Sequence, residues 1–186
     1  MNNTFIFVLG GARSGKSSFA LELVRHKPGR VLFVATATPS DPEMTARIAS
    51  HRADRPSHWH TIEAPIRVSN AIRSALPVEW IILDCATLLA GNILNTLPEP
   101  VRSEEFEGLL GEEIESLTKL IPTSNANWLI ISNEVGLGVV PAYPLGRIYR
   151  DGLGRANQRL ASLADSVLLM TAGIPVVIKG ELPVQD

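Results

Sequence analysis

The run Gly10-Gly11-Ala12-Arg13-Ser14-Gly15-Lys16-Ser17, placed directly behind the apolar segment Phe5-Ile6-Phe7-Val8-Leu9, constrains the fold more than any other stretch. It satisfies the pattern G-x-x-x-x-G-K-[ST]. A buried strand delivers such a loop, and the glycines let backbone N–H groups wrap an anion without Cβ obstruction. A following helix then turns its positive N-terminus toward the phosphates. That helix is expected over residues 15–25, with Phe19, Ala20, Leu23 and Val24 on its inner face. An ordinary glycine turn before a helix does not account for Lys16 followed by Ser17. The motif predicts nucleotide binding.

Further along, short continuous apolar runs of the kind found in strands covered on both faces recur at residues 31–35, 78–85 and 128–132. Polar residues follow at their C-terminal ends: Thr36-Ala37-Thr38, Asp84 and Asn133-Glu134. In open α/β sheets that edge is where ligands bind. Ser40-Asp41-Pro42-Glu43 combines a capping-box pattern with an early proline, predicting a helix over residues 41–52 with Met44, Ile48 and His51 along one stripe. Residues 58–63 alternate as a partly exposed strand would. Pro65 suits the first turn of a helix reaching residue 75, and residues 87–95 form another. Residues 101–121 repeat Phe106, Leu109, Leu110, Ile114, Leu117, Leu120 and Ile121 at helical spacing, with glutamates reading as a solvated face.

A long helix is expected over residues 144–165, with Leu145, Ile148, Tyr149, Leu153, Ala156, Leu160 and Leu163 inward. Gly146, Gly152 and Gly154 weaken it by about 1 kcal/mol each relative to alanine, which suggests close packing or a ligand. Residues 167–170 and 176–178 read as an antiparallel hairpin at the sheet edge. The fold class is therefore α/β: a P-loop NTPase with a mostly parallel sheet, helices on both faces and an antiparallel C-terminal edge. Residues 1–186 form one expected nucleotide-binding domain.

Composition narrows the function classes. A single cysteine, Cys85, excludes an intramolecular disulfide framework and suits a reducing cytoplasm. The opening Met1-Asn2-Asn3-Thr4 lacks the basic flank of a secretory signal, and no apolar stretch approaches the ~20 residues of a membrane span. A net charge of -2 provides no global basic field for nucleic acid, which argues against a helicase or recombinase. A cytoplasmic protein with small-molecule partners is expected.

Lys16 is placed to reach β- and γ-phosphates, Ser17 to ligate Mg²⁺, and Asp84 to hold the same metal shell from the end of an apolar strand. The alternative for Asp84 is a helix N-cap. No [NT]-K-x-D guanine-reading motif is present, since Thr118-Lys119 is followed by Leu120-Ile121, so a switch GTPase is not expected. His51 stands among Arg47, Arg52 and Arg55, cations that suit phosphate and favour a neutral, nucleophilic imidazole. Residue type alone favours a surface histidine on an arginine-rich helix. His58 and His60 share a strand face without the cysteines or H-x-E pattern of a metal site. Glu134 has two readings: orienting or activating an acceptor hydroxyl, or a salt bridge to Arg147 or Arg150.

Several blocks together make the chain resemble the bifunctional adenosylcobinamide kinase / adenosylcobinamide-phosphate guanylyltransferases of cobalamin biosynthesis. They are the phosphate loop; Ala35-Thr36-Ala37 with Asp41, Glu43-Met44, Arg47-Ile48 and His51-Arg52; Asp84-Cys85 with Thr87 and Asn92; residues 133–141; and Arg150-Asp151 with Gly154 and Asn157-Gln158. The resemblance implies a RecA-like sheet, a cytoplasmic homotrimer, and ATP or GTP with Mg²⁺ acting on adenosylcobinamide and its phosphate. It also implies a covalent guanylyl-histidine at His51, in the segment R-I-x-x-H-[KR]; some relatives carry two adjacent histidines there, and here Ser50 takes the first place. Nucleotide contacts follow at Arg52, Ala53, Asp54, Arg55 and Glu63. In the reaction so implied, the γ-phosphoryl group passes to the aminopropanol hydroxyl, and His51 then carries GMP from GTP to the phosphorylated corrinoid. The helix bearing His51 is expected to move on nucleotide binding. A monofunctional small-molecule kinase and a non-catalytic nucleotide-binding protein are the competing readings.

Overall fold

The computed structural model describes residues 3–183; Met1, Asn2 and the last three residues of the tail lie outside the described residues. Its centre is one seven-stranded sheet in the order β3-β2-β4-β5-β1-β6-β7. The strands are β1 (Phe5–Gly10), β2 (Val31–Ala35), β3 (His60–Glu63), β4 (Trp80–Asp84), β5 (Asn127–Ile131), β6 (Ser166–Thr171) and β7 (Ile174–Lys179). The first six pair in parallel, and β7 returns antiparallel to β6 at the edge. Each apolar run singled out in the sequence is a strand, because a strand covered on both faces needs apolar residues at every position.

Side chains alternate between the two faces, and two apolar clusters result. On one face Phe5, Phe7, Leu32, Val34, Ile81, Leu83 and Trp128 pack under α3 (Val68–Ala75), α4 (Ala86–Leu94), α5 (Ser103–Leu120) and α6 (Pro144–Leu163). On the other, Ile6, Val8, Val31, Phe33 and Ile82 meet Ala20, Leu21, Leu23 and Val24 of α1 (Lys16–Arg25). Phe19 is only partly buried there. The remaining helix, α2 (Pro42–Ala53), has no buried residue at all.

Element ends depart from the sequence pattern where distant residues set them. Asp41, not Ser40, caps α2: its carboxylate accepts from Met44 N at 2.7 Å. Helix α3 begins at Val68 rather than after Pro65, because Glu113 of α5 accepts from the N–H groups of Arg67 and Val68 at 3.1 and 2.8 Å. The glutamates of α5 are thus not a purely solvated face. Glu107 pairs with Arg155 and Glu115 with Arg159, tying α5 to α6. Leu109, Leu145 and Leu163 are exposed rather than inward. The glycines of α6 divide. A Cβ at Gly152 would sit 2.5 Å from the Phe106 ring, so packing requires the glycine, whereas a Cβ at Gly154 would meet nothing within 4 Å.

Candidate functional site

Strand β1 ends at Gly10, where a Cβ would come within 2.6 Å of both Met170 O and Ser14 Oγ. Gly15, at φ +94°, turns the loop into α1, a conformation that suits glycine. The turn between β6 and β7 supports the loop from the side: Gly173 N donates to Ser14 O at 3.0 Å, and Gly173 Cα would lie 3.1 Å from a Cβ at Gly15. Inside the loop the Lys16 ammonium folds back onto the carbonyls of Gly10 and Gly11 at 3.1 and 2.6 Å and is 7% exposed. Burial lowers its proton affinity, while Cys85 and Asp84 act in the opposite direction.

A cavity of about 1100 Å³ opens in front of this loop. Ala12, Arg13, Ser14, Gly15, Lys16 and Ser17 form one wall, while Gly10 and Gly11 lie behind it and serve through their carbonyls. Asp84 faces the same space from the end of β4. Burial pushes its carboxyl above the ordinary carboxylate range; the Ser17 hydroxyl, and then His51, Arg55 and Lys16, pull it back. Asp84 is not the cap of α4: Cys85 holds that position, and no side chain caps the helix.

The opposite wall is α2. Met44, Ile48 and His51 line the cavity, as their common stripe predicts, together with Arg47 and Ala53. Structure thus brings His51, Lys16, Ser17 and Asp84 around one space. The neighbouring arginines are engaged: Arg52 donates to Glu63 at 2.9 Å, and the Arg55 guanidinium lies 3.8 Å from the centroid of Phe33. All three of Arg52, Arg55 and Glu63 still border the cavity, whereas Asp54 is the C-cap of α2 and does not.

Of Thr36-Ala37-Thr38, only Ala37 lines the cavity. Thr36 is fully buried, and its hydroxyl is spent on Cys85, accepting from N at 2.7 Å and donating to O at 2.8 Å. Its own N–H donates to Asp84 O at 3.1 Å. Asn92 donates to Thr36 O and Pro65 O, and Thr87 Oγ1 accepts from Asn133 N at 2.6 Å. Thr87 and Asn92, to which the sequence pattern assigns no separate role, thus join Thr36 in clamping the ends of β2, β4 and β5. Both lie on α4, which opens directly after β4, and polar residues in its otherwise apolar sequence were the available signal. Glu134 is not in the nucleotide cavity. It lies on the α6 side of the sheet edge, where its carboxylate accepts from Gly136 N at 2.6 Å, and it makes no salt bridge to Arg147 or Arg150 among the described residues.

Divalent-cation chemistry fits this donor set. No group of three or more His, Cys, Asp or Glu residues suited to a metal cage exists among the described residues. A hydroxyl and one carboxylate beside a phosphate loop are what Mg²⁺ uses, since it keeps most of its waters and takes the rest of its shell from phosphate.

Residues 6–178 match the family described as cobinamide kinase / cobinamide phosphate guanyltransferase. The chain belongs to this family. Consistent with that, it is 41% identical over 180 residues to the bifunctional adenosylcobalamin biosynthesis protein CobU of Salmonella typhimurium, covering 94% of this chain and 99% of that one. The protein of the same name from Escherichia coli is 39% identical over equal shares. Another relative, the bifunctional adenosylcobalamin biosynthesis protein CobP of Pseudomonas aeruginosa, is 39% identical over 94% of this chain and 96% of its own. Membership makes the chain a P-loop NTPase with two activities, cobinamide kinase and cobinamide-phosphate guanylyltransferase. Among the described residues no helix is long and apolar enough to cross a membrane.

Proposed function

We propose that both activities use the one cavity between the phosphate loop and α2. The observation that carries this reading is that Lys16, Ser17, Asp84 and His51 all border it. In the kinase step the loop N–H groups and Lys16 hold the β- and γ-phosphates of ATP or GTP. To do so, the Lys16 ammonium exchanges the Gly10 and Gly11 carbonyls for phosphate oxygens. Ser17 and Asp84 would hold Mg²⁺, which would supply charge neutralisation at the phosphates. The aminopropanol hydroxyl of adenosylcobinamide attacks the γ-phosphorus; the nucleoside diphosphate leaves and the hydroxyl proton passes to solvent. Positioning and electrostatic stabilisation supply most of such a step.

In the second step an imidazole nitrogen of His51 attacks the α-phosphorus of GTP. A P–N bond forms, the bond to pyrophosphate breaks, and the ring loses its proton. The phosphate of the phosphorylated corrinoid then displaces the imidazole and takes GMP, giving adenosyl-GDP-cobinamide. Two displacements replace one difficult transfer. Arg52, Arg55 and Glu63, which border the cavity, contact the nucleotide in this state, and α2 moves to bring His51 to the α-phosphorus.

We also infer a cytoplasmic homotrimer. The apolar surface of the edge strand β7, where Ile174, Val176, Val177 and Ile178 are exposed, supports association. The deciding experiment is incubation with GTP labelled at the α-phosphate. The expected product is an acid-labile, alkali-stable protein adduct that is absent from His51→Ala, while His51→Ala retains phosphorylation of cobinamide. Undiminished label in His51→Ala would overturn the covalent route.

A further inference from the structure

A second cavity, of about 440 Å³, lies on the other side of the sheet edge, between α6 and the segment that follows β5. Leu9, Glu134, Gly136, Arg150, Asp151 and Asn157 border it, with Gly154, Arg155 and Gln158 along the α6 side. We propose that this cavity is the acceptor subsite, holding the amide-bearing rim of the cobinamide while the phosphate-loop cavity holds the nucleotide. The proposal rests on the cobinamide reading above.

Position is the first argument. The two cavities back onto a single dipeptide: Asn133 lines the nucleotide cavity and Glu134 the second one. That dipeptide is fixed from both sides, since Glu134 N donates to Gly10 O at 3.1 Å and Asn157 Nδ2 donates to Asn133 O at 3.0 Å. An acceptor seated here lies beside the phosphate loop without occupying it.

Charge is the second. The cavity has two carboxylates, Glu134 and Asp151, and two guanidiniums, Arg150 and Arg155. Arg150 is paired with Asp151 at 2.8 Å, and Arg155 with Glu107. No guanidinium is left over for a phosphate, in contrast with the nucleotide cavity. Such a balanced, polar lining suits neutral hydrogen-bonding groups.

Hydrogen-bonding capacity is the third. Because the Asn157 amide commits its NH₂ to Asn133 O, its Oδ1 is fixed as an acceptor, and among the described residues nothing donates to it although Asn157 is 5% exposed. That oxygen exposes almost no surface, so a ligand N–H meets it only where the cavity wall gives way around Asn157, and doing so would relieve the cost of a buried acceptor without a donor. Gln158, next in sequence and exposed, offers both a donor and an acceptor. Primary amides, which rim a cobinamide, match both residues.

Shape is the fourth. Gly152 is required by Phe106, but Gly154 has no neighbour to avoid, although a glycine inside a helix is less stable there than alanine. Its missing side chain keeps the cavity open. The volume is at the small end for ligand cavities, so it takes an edge of the macrocycle rather than the whole.

The test compares Gly154→Leu, which fills the cavity from a position with free space around it, and Gln158→Ala with the parent protein. Three quantities are read: KM for cobinamide in the kinase step, GTP affinity by calorimetry, and self-labelling by α-labelled GTP without corrinoid. The expected result is a rise in cobinamide KM of about tenfold or more in Gly154→Leu and several-fold in Gln158→Ala, at unchanged GTP affinity and self-labelling. An unchanged KM in both, or GTP affinity falling in step with KM, overturns the subsite. If Gly154→Leu loses its folded circular dichroism spectrum, Gln158→Ala decides alone. Should the parent protein fail to phosphorylate cobinamide, the underlying reading fails and the subsite with it; should it turn over while the variants keep its KM, the subsite alone fails.

Discussion

Between Gly10 and Ser17 the chain is braced by Met170 beneath, by Gly173 at the side and by the Lys16 ammonium within, whereas α2 buries none of its 12 residues. The two walls of one cavity are therefore held in opposite ways. The loop is set before the nucleotide arrives, which suits phosphoryl transfer, where preorganised charge does most of the catalysis. The helix is attached through its cap, through surface contacts of Arg52 and Arg55, and through partial burial of Met44, Ile48 and His51. An element with few buried apolar contacts opens at low free energy, and moving groups are drawn from such elements. The contrast matches the two reactions: one phosphorus is reached by the fixed wall, the other by the loose one.

The largest expected effect tests the fixed wall. Lys16→Ala should lower kinase kcat by about 10²–10³-fold, the usual loss on removing a preorganised charge partner, while the melting temperature stays level or rises because a desolvated ammonium is gone. A melting temperature lower by many degrees would mean that the ammonium, rather than the glycine geometry, holds the loop. Asp84→Asn comes next, with a comparable loss of Mg²⁺-dependent kinase activity but a gain in stability. Burial holds the Asp84 carboxyl above its ordinary value, so its ionisation costs the folded state more than the unfolded one. That cost is absent below the unfolded carboxylate range and complete once pH exceeds the raised folded value. The asparagine variant should therefore melt higher at neutral pH, and the difference should disappear in acid. Thermal melts of both proteins across that range would refute this if the variant were less stable at pH 7.

The smallest effect tests the loose wall. Asp41→Ala removes the cap of α2, a change of about 1 kcal/mol. With no buried face to spread that loss, it should stay local: faster amide exchange within α2 and several-fold slower formation of the His51 adduct, at unchanged melting temperature and kinase rate. A parallel drop in kinase rate would show that the two walls are coupled more tightly than their packing indicates.

Sequence made the loop, the strands and the stripe of Met44, Ile48 and His51 legible, because each depends on local pattern: buried runs, glycines at a turn, and three- and four-residue spacing. What it hid depended on distant residues. Helix α3 starts where Glu113 of α5 caps it, and no feature near Pro65 announces that. The glutamates of α5 looked solvated because the arginines that meet them lie on α6. Thr36 looked like a ligand contact until strand order placed it against Cys85. Glu134 illustrates the same limit: its position at a strand end was readable, but which side of the edge it serves depends on how β5 and β1 lie together.

The support that Gly173 gives to Ser14 also bears on the order in which the protein is made. The phosphate loop is made long before β5 and β6, yet β1 is flanked in the sheet by those two strands, and the turn that steadies the loop follows β6. Contacts between such distant parts of a chain form late, after the loop-closure entropy has been met. A nascent chain therefore carries its nucleotide motif without a finished place for a nucleotide until β6 and the turn after it have been made.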